Sequence, residues 1–213
     1  MALPDVNLWT SPLHALDYLQ RADSIPHRTE GEAALLECLP AKITRVLDLG
    51  SGDGRLLKLV KLARPETAAV ALDFSPTMLQ GLRGRFGNDP HVKIVEHDLQ
   101  NSLPAMGKFD AVVSSFAIHH LPHPRKRALY AEIHSVLTPG GVFCNLEHVA
   151  SATESLHRQF LQSIGWPDED PSNKLLDLHQ QLVWLREIGF QDVDCLWKWR
   201  ELALMMGRIP ASA

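Results

Sequence analysis

From Arg45 onward, short runs of β-branched and apolar residues alternate with longer stretches in which apolar positions recur every three or four residues. Short continuous apolar runs suit strands buried on both faces, and the helical period suits segments lying against them. The pattern predicts strands at residues 45–49, 68–72, 92–95, 109–114 and 141–146. It predicts a helix over 55–63, with leucines at 56, 57, 59 and 62, and another that runs to about Phe86. Ser75-Pro76 supplies that second helix with an N-cap and a proline at its first position. A third helix over 125–137 is stopped by Pro139-Gly140-Gly141. Strands that alternate with helices give a parallel, doubly wound α/β sheet with right-handed crossovers.

The rhythm changes in three places. Residues 193–198 and 202–206 are two strand-like runs with only a few residues between them, which requires an antiparallel hairpin. Residues 1–44 read as helices and loops, and residues 151–185 as two helices separated by the break Trp166-Pro167-Asp168-Glu169-Asp170-Pro171-Ser172-Asn173. The chain is therefore read as one domain in four parts: an N-terminal helical cap (1–44), a core (45–150), a lid insert and helix (151–189) and a C-terminal hairpin (190–213).

Composition narrows the setting. With 213 residues, 45% apolar and 22% charged, the chain has the make-up of a soluble globular domain large enough for its own core. A formal net charge of −4 without long runs of like charge disfavours a nucleic-acid binder that works by neutralising phosphates. Met1-Ala2-Leu3-Pro4-Asp5 is unlike a secretory signal, and no apolar stretch is long enough to span a membrane, so the expectation is a cytoplasmic protein with no membrane partner. A monomer or homodimer is expected. Cys38, Cys144 and Cys195 are odd in number and far apart, which suits core packing in a reducing compartment better than a zinc site. His123, His134, His157 and His179 are scattered without metal-ligand spacing, so no metal is expected.

The chemistry concentrates where the first strand ends. In an open parallel sheet, ligands collect beyond the carboxyl ends of the strands. The loop there is Asp48-Leu49-Gly50-Ser51-Gly52-Asp53-Gly54, whose alternate glycines permit a tight turn and let a ligand lie against backbone. Asp73 ends the second strand nineteen residues after Gly54, the spacing of an acid that grips ribose hydroxyls. The dinucleotide GxGxxG pattern would need glycine at 55, where this chain has Arg55, and this counts against a nicotinamide-dependent dehydrogenase.

The same residues resemble the class I S-adenosylmethionine-dependent methyltransferases, especially the small-molecule branch. The loop at 48–54 looks like their first motif, Leu72-Asp73-Phe74-Ser75-Pro76-Thr77-Met78-Leu79 like the second and His97-Asp98-Leu99 like the third. The run from Phe109 through Ser114-Ser115-Phe116-Ala117-Ile118-His119-His120-Leu121 is similar to the fourth, and Leu137-Thr138-Pro139-Gly140-Gly141 to the turn before the fifth strand. The resemblance covers about residues 43–147. It implies a Rossmann-like, seven-stranded mixed sheet of order 3-2-1-4-5-7-6 with strand seven antiparallel, and S-adenosylmethionine as cofactor with S-adenosylhomocysteine as product.

The resemblance also implies roles. The backbone at Gly50, Ser51 and Gly52, with Asp48 beside it, would face the methionine part and ribose, and Asp73 the ribose hydroxyls. Phe74 and Met78 would pack near the adenine, Asp98 would accept from its amino group and Leu99 would flank the ring. Ser114 and Ser115 would lie below the methionyl chain, and Arg28 would meet its carboxylate. His119 and His120, at the end of the fourth strand, are candidates for a base or for orienting the acceptor. Glu147 and His148, past the fifth strand, are candidates for contact with the small-molecule substrate, joined by Phe160 and Trp166 from the lid. Because a sulfonium methyl is already electrophilic, alignment worth roughly 7–11 kcal/mol should outweigh a base worth about 10²–10⁴-fold.

Two other readings stay open. An RNA-modifying enzyme is disfavoured because Ser114-Ser115-Phe116-Ala117 lacks the Asn/Asp-Pro-Pro-aromatic run associated with methylation of base amino groups. A regulatory protein that binds the cofactor without catalysis would carry the same glycines and Asp73.

Overall fold

The structure, a computed structural model, describes residues 8–166 and 168–211; the expectations for residues 1–7 of the cap and for Pro167 in the lid break lie outside the described residues. Two helices precede the sheet, α1 (Pro12–Arg21) and α2 (Arg28–Cys38). The alternating core follows as β1 (Arg45–Leu49), α3 (Arg55–Ala63), β2 (Ala68–Asp73), α4 (Pro76–Phe86), β3 (Val92–Glu96) and β4 (Phe109–Ser115). It continues with α5 (His123–Val136), β5 (Leu137–His148), α6 (Glu154–Ser163), α7 (Leu178–Ile188), β6 (Gln191–Trp199) and β7 (Leu202–Arg208). The strands lie in the order β3-β2-β1-β4-β5-β7-β6, with β7 antiparallel to both neighbours, as the family resemblance implies.

Successive strand side chains point to opposite faces, and both faces are covered. Val46 packs with Leu57 and Val60 of α3 and Leu35 of α2, whereas Leu47 and Leu49 pack with Leu129 and Ile133 of α5 and Leu185 of α7. Burial on both sides explains why the central strands read as unbroken apolar runs. It also places the β1–α3 and β4–α5 connections side by side, since β1 pairs with β4 through Leu49 and Ser114.

Three local expectations need correction. Leu62 of the α3 pattern is 70% exposed, and Val60 takes the inward position beside Leu56 and Leu57. Helix α5 stops at Val136 and the strand resumes at once: Leu137 pairs with Phe109, and the next pairing is Val142 with Ala111. Thr138 to Gly141 thus form an irregularity inside β5, where Gly140 takes a φ of +77°, so the proline-glycine run interrupts a strand and does not merely end a helix. The break between the lid helices spans residues 164–177, longer than the pattern suggested, because α6 ends at Ser163 and α7 begins only after the Asp177 cap.

Candidate functional site

The loop after β1 is shaped by stereochemistry. Gly50, Gly52 and Gly54 have φ values of +64°, +56° and +86°, a region that costs residues with a Cβ. A Cβ on Gly50 would stand 2.2 Å from that of Ala117, and one on Gly54 would stand 2.7 Å from Leu82 Cδ1. Backbone bonds then pin the loop to the neighbouring strands: the Ser51 N–H donates to the Leu72 carbonyl (2.8 Å), and the Ser51 hydroxyl to that of Asp48 (2.9 Å).

Asp73 joins the loop to α4. Its Oδ2 accepts from the Gly52 N–H (2.8 Å) and its Oδ1 from the Ser75 N–H (2.9 Å). Burial pushes this carboxyl up from the ordinary aspartate range, and the backbone donors pull against that. At Asp48 only the nearby Ser51 hydroxyl pulls the other way. The Asp48 side chain is 1% exposed overall, and neither oxygen has a hydrogen-bond partner among the described residues. Burial, reinforced by the nearby Asp73 charge, pushes it up to about 7.

These residues open on a cavity of about 250 Å³. Arg28, Asp48, Gly50, Ser51, Gly52, Asp73, Phe74, Met78, Asp98, Leu99 and Ser115 line it, together with His120. Ser114 does not; it is fully buried and donates to the Leu49 carbonyl (2.8 Å), tying β4 to β1. Arg28 approaches from the cap. Its Nε donates to Glu32 (2.9 Å) and its Nη1 to the Tyr18 hydroxyl and the Ala22 carbonyl (both 3.2 Å), leaving Nη2 without a hydrogen-bond partner among the described residues. Glu32 also accepts two bonds from Arg55 (2.7 and 3.0 Å), and Arg55 reaches on to Asp23.

A second, smaller cavity of about 60 Å³ adjoins the first, and Trp9, Tyr18, Phe116 and His120 line both. His119, His148, Phe160 and Trp166 belong to this one. Glu147 lines neither cavity. It is buried behind His119 with its Oε1 2.6 Å from His119 Nδ1, and the His148 N–H donates to it at 3.0 Å. Burial holds His119 well below the usual imidazole range, and His148 and Lys126 add to the effect. Burial also raises the Glu147 carboxyl, while Lys126 and the His148 N–H pull it back; we assign the pair as a neutral imidazole donating Nδ1–H to a carboxylate, which leaves Nε2 as the lone pair.

Sequence reasoning missed several parts of this region. Trp9, Tyr18, Arg55 and Ser172 line the larger cavity without any motif to mark them. Phe116 has a φ of +53°, strain that no pattern announces. Glu201, in the β6–β7 turn, is buried and accepts from His148 Nε2 (2.7 Å), His157 Nδ1 (3.1 Å) and the Ser151 hydroxyl. Among the described residues, no group of three or more His, Cys, Asp or Glu is arranged to hold a metal ion, and no helix is long and apolar enough to cross a membrane.

Comparison with known proteins gives a concordant result. Residues 46–141 match the model of a methyltransferase domain family. An uncharacterized methyltransferase of Mycobacterium tuberculosis is 34% identical over 135 residues, which cover 62% of this chain and 64% of the relative, so the chain spans somewhat under two thirds of that protein's length. Among solved structures, an O-methyltransferase family protein from Burkholderia thailandensis aligns with a TM-score of 0.76 at 17% identity, over 96% of this chain and 62% of the other. The N-methyltransferase NodS from Bradyrhizobium japonicum, solved with S-adenosylhomocysteine, aligns with a TM-score of 0.71 at 17% identity, over 96% and 100% of the two chains. At such identities the two structures report a common fold.

Proposed function

We propose that the chain is a class I S-adenosylmethionine-dependent methyltransferase that methylates a small-molecule acceptor held in the smaller cavity, a reading supported by the match of residues 46–141 to a methyltransferase domain family. The observation that carries this reading is the junction of the two cavities at His120, Trp9, Tyr18 and Phe116. A nucleotide-sized space next to a small aromatic-lined one is the arrangement that transfer between two bound molecules requires.

The residues present fit the cofactor. Asp48 offers a buried carboxylate lacking a protein partner, suited to an ammonium group, and Gly50 leaves the loop backbone free of a Cβ. Asp73 keeps further lone pairs for ribose hydroxyls, and Nη2 of Arg28 is free to meet a carboxylate. Phe74, Met78 and Leu99 supply apolar walls for an adenine, with Asp98 as acceptor for its amino group. When bound, the cofactor supplies an activated methyl group. The chain's own contribution is then to hold the acceptor in line, keep water out with Trp9, Tyr18 and Trp166, and present the His119 lone pair, fixed by Glu147, to the acceptor.

Calorimetric titration with S-adenosylhomocysteine tests the cofactor half of the proposal. Micromolar binding to the native chain is expected, reduced at least about tenfold by Asp73→Ala. Absence of binding to the native chain would refute the reading.

A further inference from the structure

Resting on that methyl-transfer reading, we infer that the acceptor is an amine, held in the smaller cavity by acceptor atoms and aromatic faces that a carboxylate or a lone hydroxyl would leave unsatisfied.

The first observation is the hydrogen-bonding polarity of the two histidines. His119 is 6% exposed, gives its Nδ1–H to Glu147, and has no partner at Nε2 among the described residues. His120 is fixed the same way by a longer chain. The Ser172 hydroxyl donates to Asp170 Oδ1 (2.7 Å), so its oxygen accepts from His120 Nδ1, 3.0 Å away. His120 Nε2 is then a buried lone pair without a partner. The ring centroids lie 3.9 Å apart, so two rings that each carry an acceptor border the same cavity. A hydroxyl brings one hydrogen. A primary amine brings two and, in its neutral form, keeps the lone pair that the transfer requires.

The second observation is charge. Asp168, Glu169 and Asp170 line the outer part of this cavity, and neither Lys nor Arg is among its lining residues. Glu169 and Asp170 are partly engaged, with His157 at 2.7 Å and His14 at 3.2 Å, whereas Asp168 has no partner among the described residues. Arg21 lies over the Trp166 ring and is paired with Asp17. The third observation is the wall. Trp9, Tyr18, Phe116, Phe160 and Trp166 surround the space, and aromatic faces attract cations. An anionic acceptor would face Asp168, Glu169 and Asp170 with neither Lys nor Arg among the lining residues to offset them, although Arg21 and Arg28 already cover the Trp166 and Phe116 rings.

The chemistry agrees with the setting. In the reaction the amine lone pair forms the N–C bond as the S–C bond breaks with its electron pair left on sulfur. The positive charge passes from sulfur to nitrogen and no proton has to leave in that step. A cavity of carboxylates and aromatic faces favours the cation that results. Neutral histidines accept its N–H hydrogens without adding charge of their own.

The test uses the full chain saturated with S-adenosylhomocysteine and three probes of one shape: benzylamine, benzyl alcohol and benzoate. Calorimetry should show benzylamine binding at least about tenfold more tightly than either of the others. The variant carrying Asp168→Asn and Glu169→Gln should reduce that preference to below about threefold while S-adenosylhomocysteine affinity changes by less than about twofold. Should the double variant lose cofactor-product binding, Asp168→Asn alone, at an exposed position, must still weaken benzylamine and spare benzoate. Benzoate or benzyl alcohol binding as tightly as the amine, or no amine binding at all, overturns the inference while leaving methyl transfer intact. If S-adenosylhomocysteine itself fails to bind the native chain, the methyltransferase reading falls and the inference with it.

Discussion

Between β1 and α3 the larger cavity is held by backbone geometry, whereas over the same cavity α1, α2 and the 164–177 segment are held by charged side chains that meet across the fold. The floor uses three glycines at positive φ and N–H groups aimed at Asp73. The cover uses Arg28, Glu32, Arg55 and Asp23 on one side and His157, Glu169 and Glu201 on the other. Backbone constraint is rigid and insensitive to salt. Ion pairs with partly exposed members are weaker and can reorganise. On the proposed function, a floor that presents one geometry to one cofactor and a cover that opens for an acceptor would call for these different means.

Perturbing the floor should have the largest effect. Gly50→Ala adds a Cβ at 2.2 Å from Ala117 and at a φ of +64°. The expected cost is on the order of 2–4 kcal/mol, with S-adenosylhomocysteine affinity falling at least about 100-fold by calorimetry. Unchanged affinity would mean that the glycine geometry has no part in binding.

Asp48 should reveal a conflict between stability and binding. Its folded pKa of about 7 lies above the ordinary aspartate value, so its contribution to stability is fully present at low pH and is lost as pH rises through 7. At pH 8, Asp48→Asn should therefore be more stable than the native chain by on the order of 2–4 kcal/mol. The difference should shrink as pH falls toward 5, while cofactor-product affinity drops. Urea midpoints measured across that range decide it; a variant less stable at pH 8 contradicts the assignment.

Smaller effects are expected in the cover. His157→Ala removes contacts to Glu201 and Glu169; it should cost about 1 kcal/mol and lower the melting temperature by about 2–4 °C. Hydrogen exchange should quicken across residues 154–177 and stay unchanged in β1 and β2. Uniform quickening would erase the distinction between cover and floor. Arg127→Ala, which breaks a half-exposed pair with Glu187 far from either cavity, should change stability by no more than about 0.5 kcal/mol and leave binding alone.

What the sequence determined by itself was whatever depends on neighbours along the chain. The apolar runs at 45–49 and 68–72, the Ser75-Pro76 helix start and the alternate glycines at 50, 52 and 54 each state a local conformation, because periodicity and positive φ are properties of a few consecutive residues. From these followed the parallel core, the loop at the end of β1 and the place of Asp73. Even locally, tertiary packing overrode the pattern at Leu62, which faces outward, and at Pro139-Gly140-Gly141, which lies within a strand.

Only the tertiary structure decided which polar groups meet. Glu147 stands 28 positions from the histidine it orients, Glu201 lies 53 positions from His148, and Ser172 lies 52 from His120. No periodicity encodes such pairings, since they depend on where β4, β5 and the β6–β7 turn converge. The glycine loop of the larger cavity, built from consecutive backbone, could thus be read along the chain. The smaller cavity, built from side chains that touch only after folding, could not.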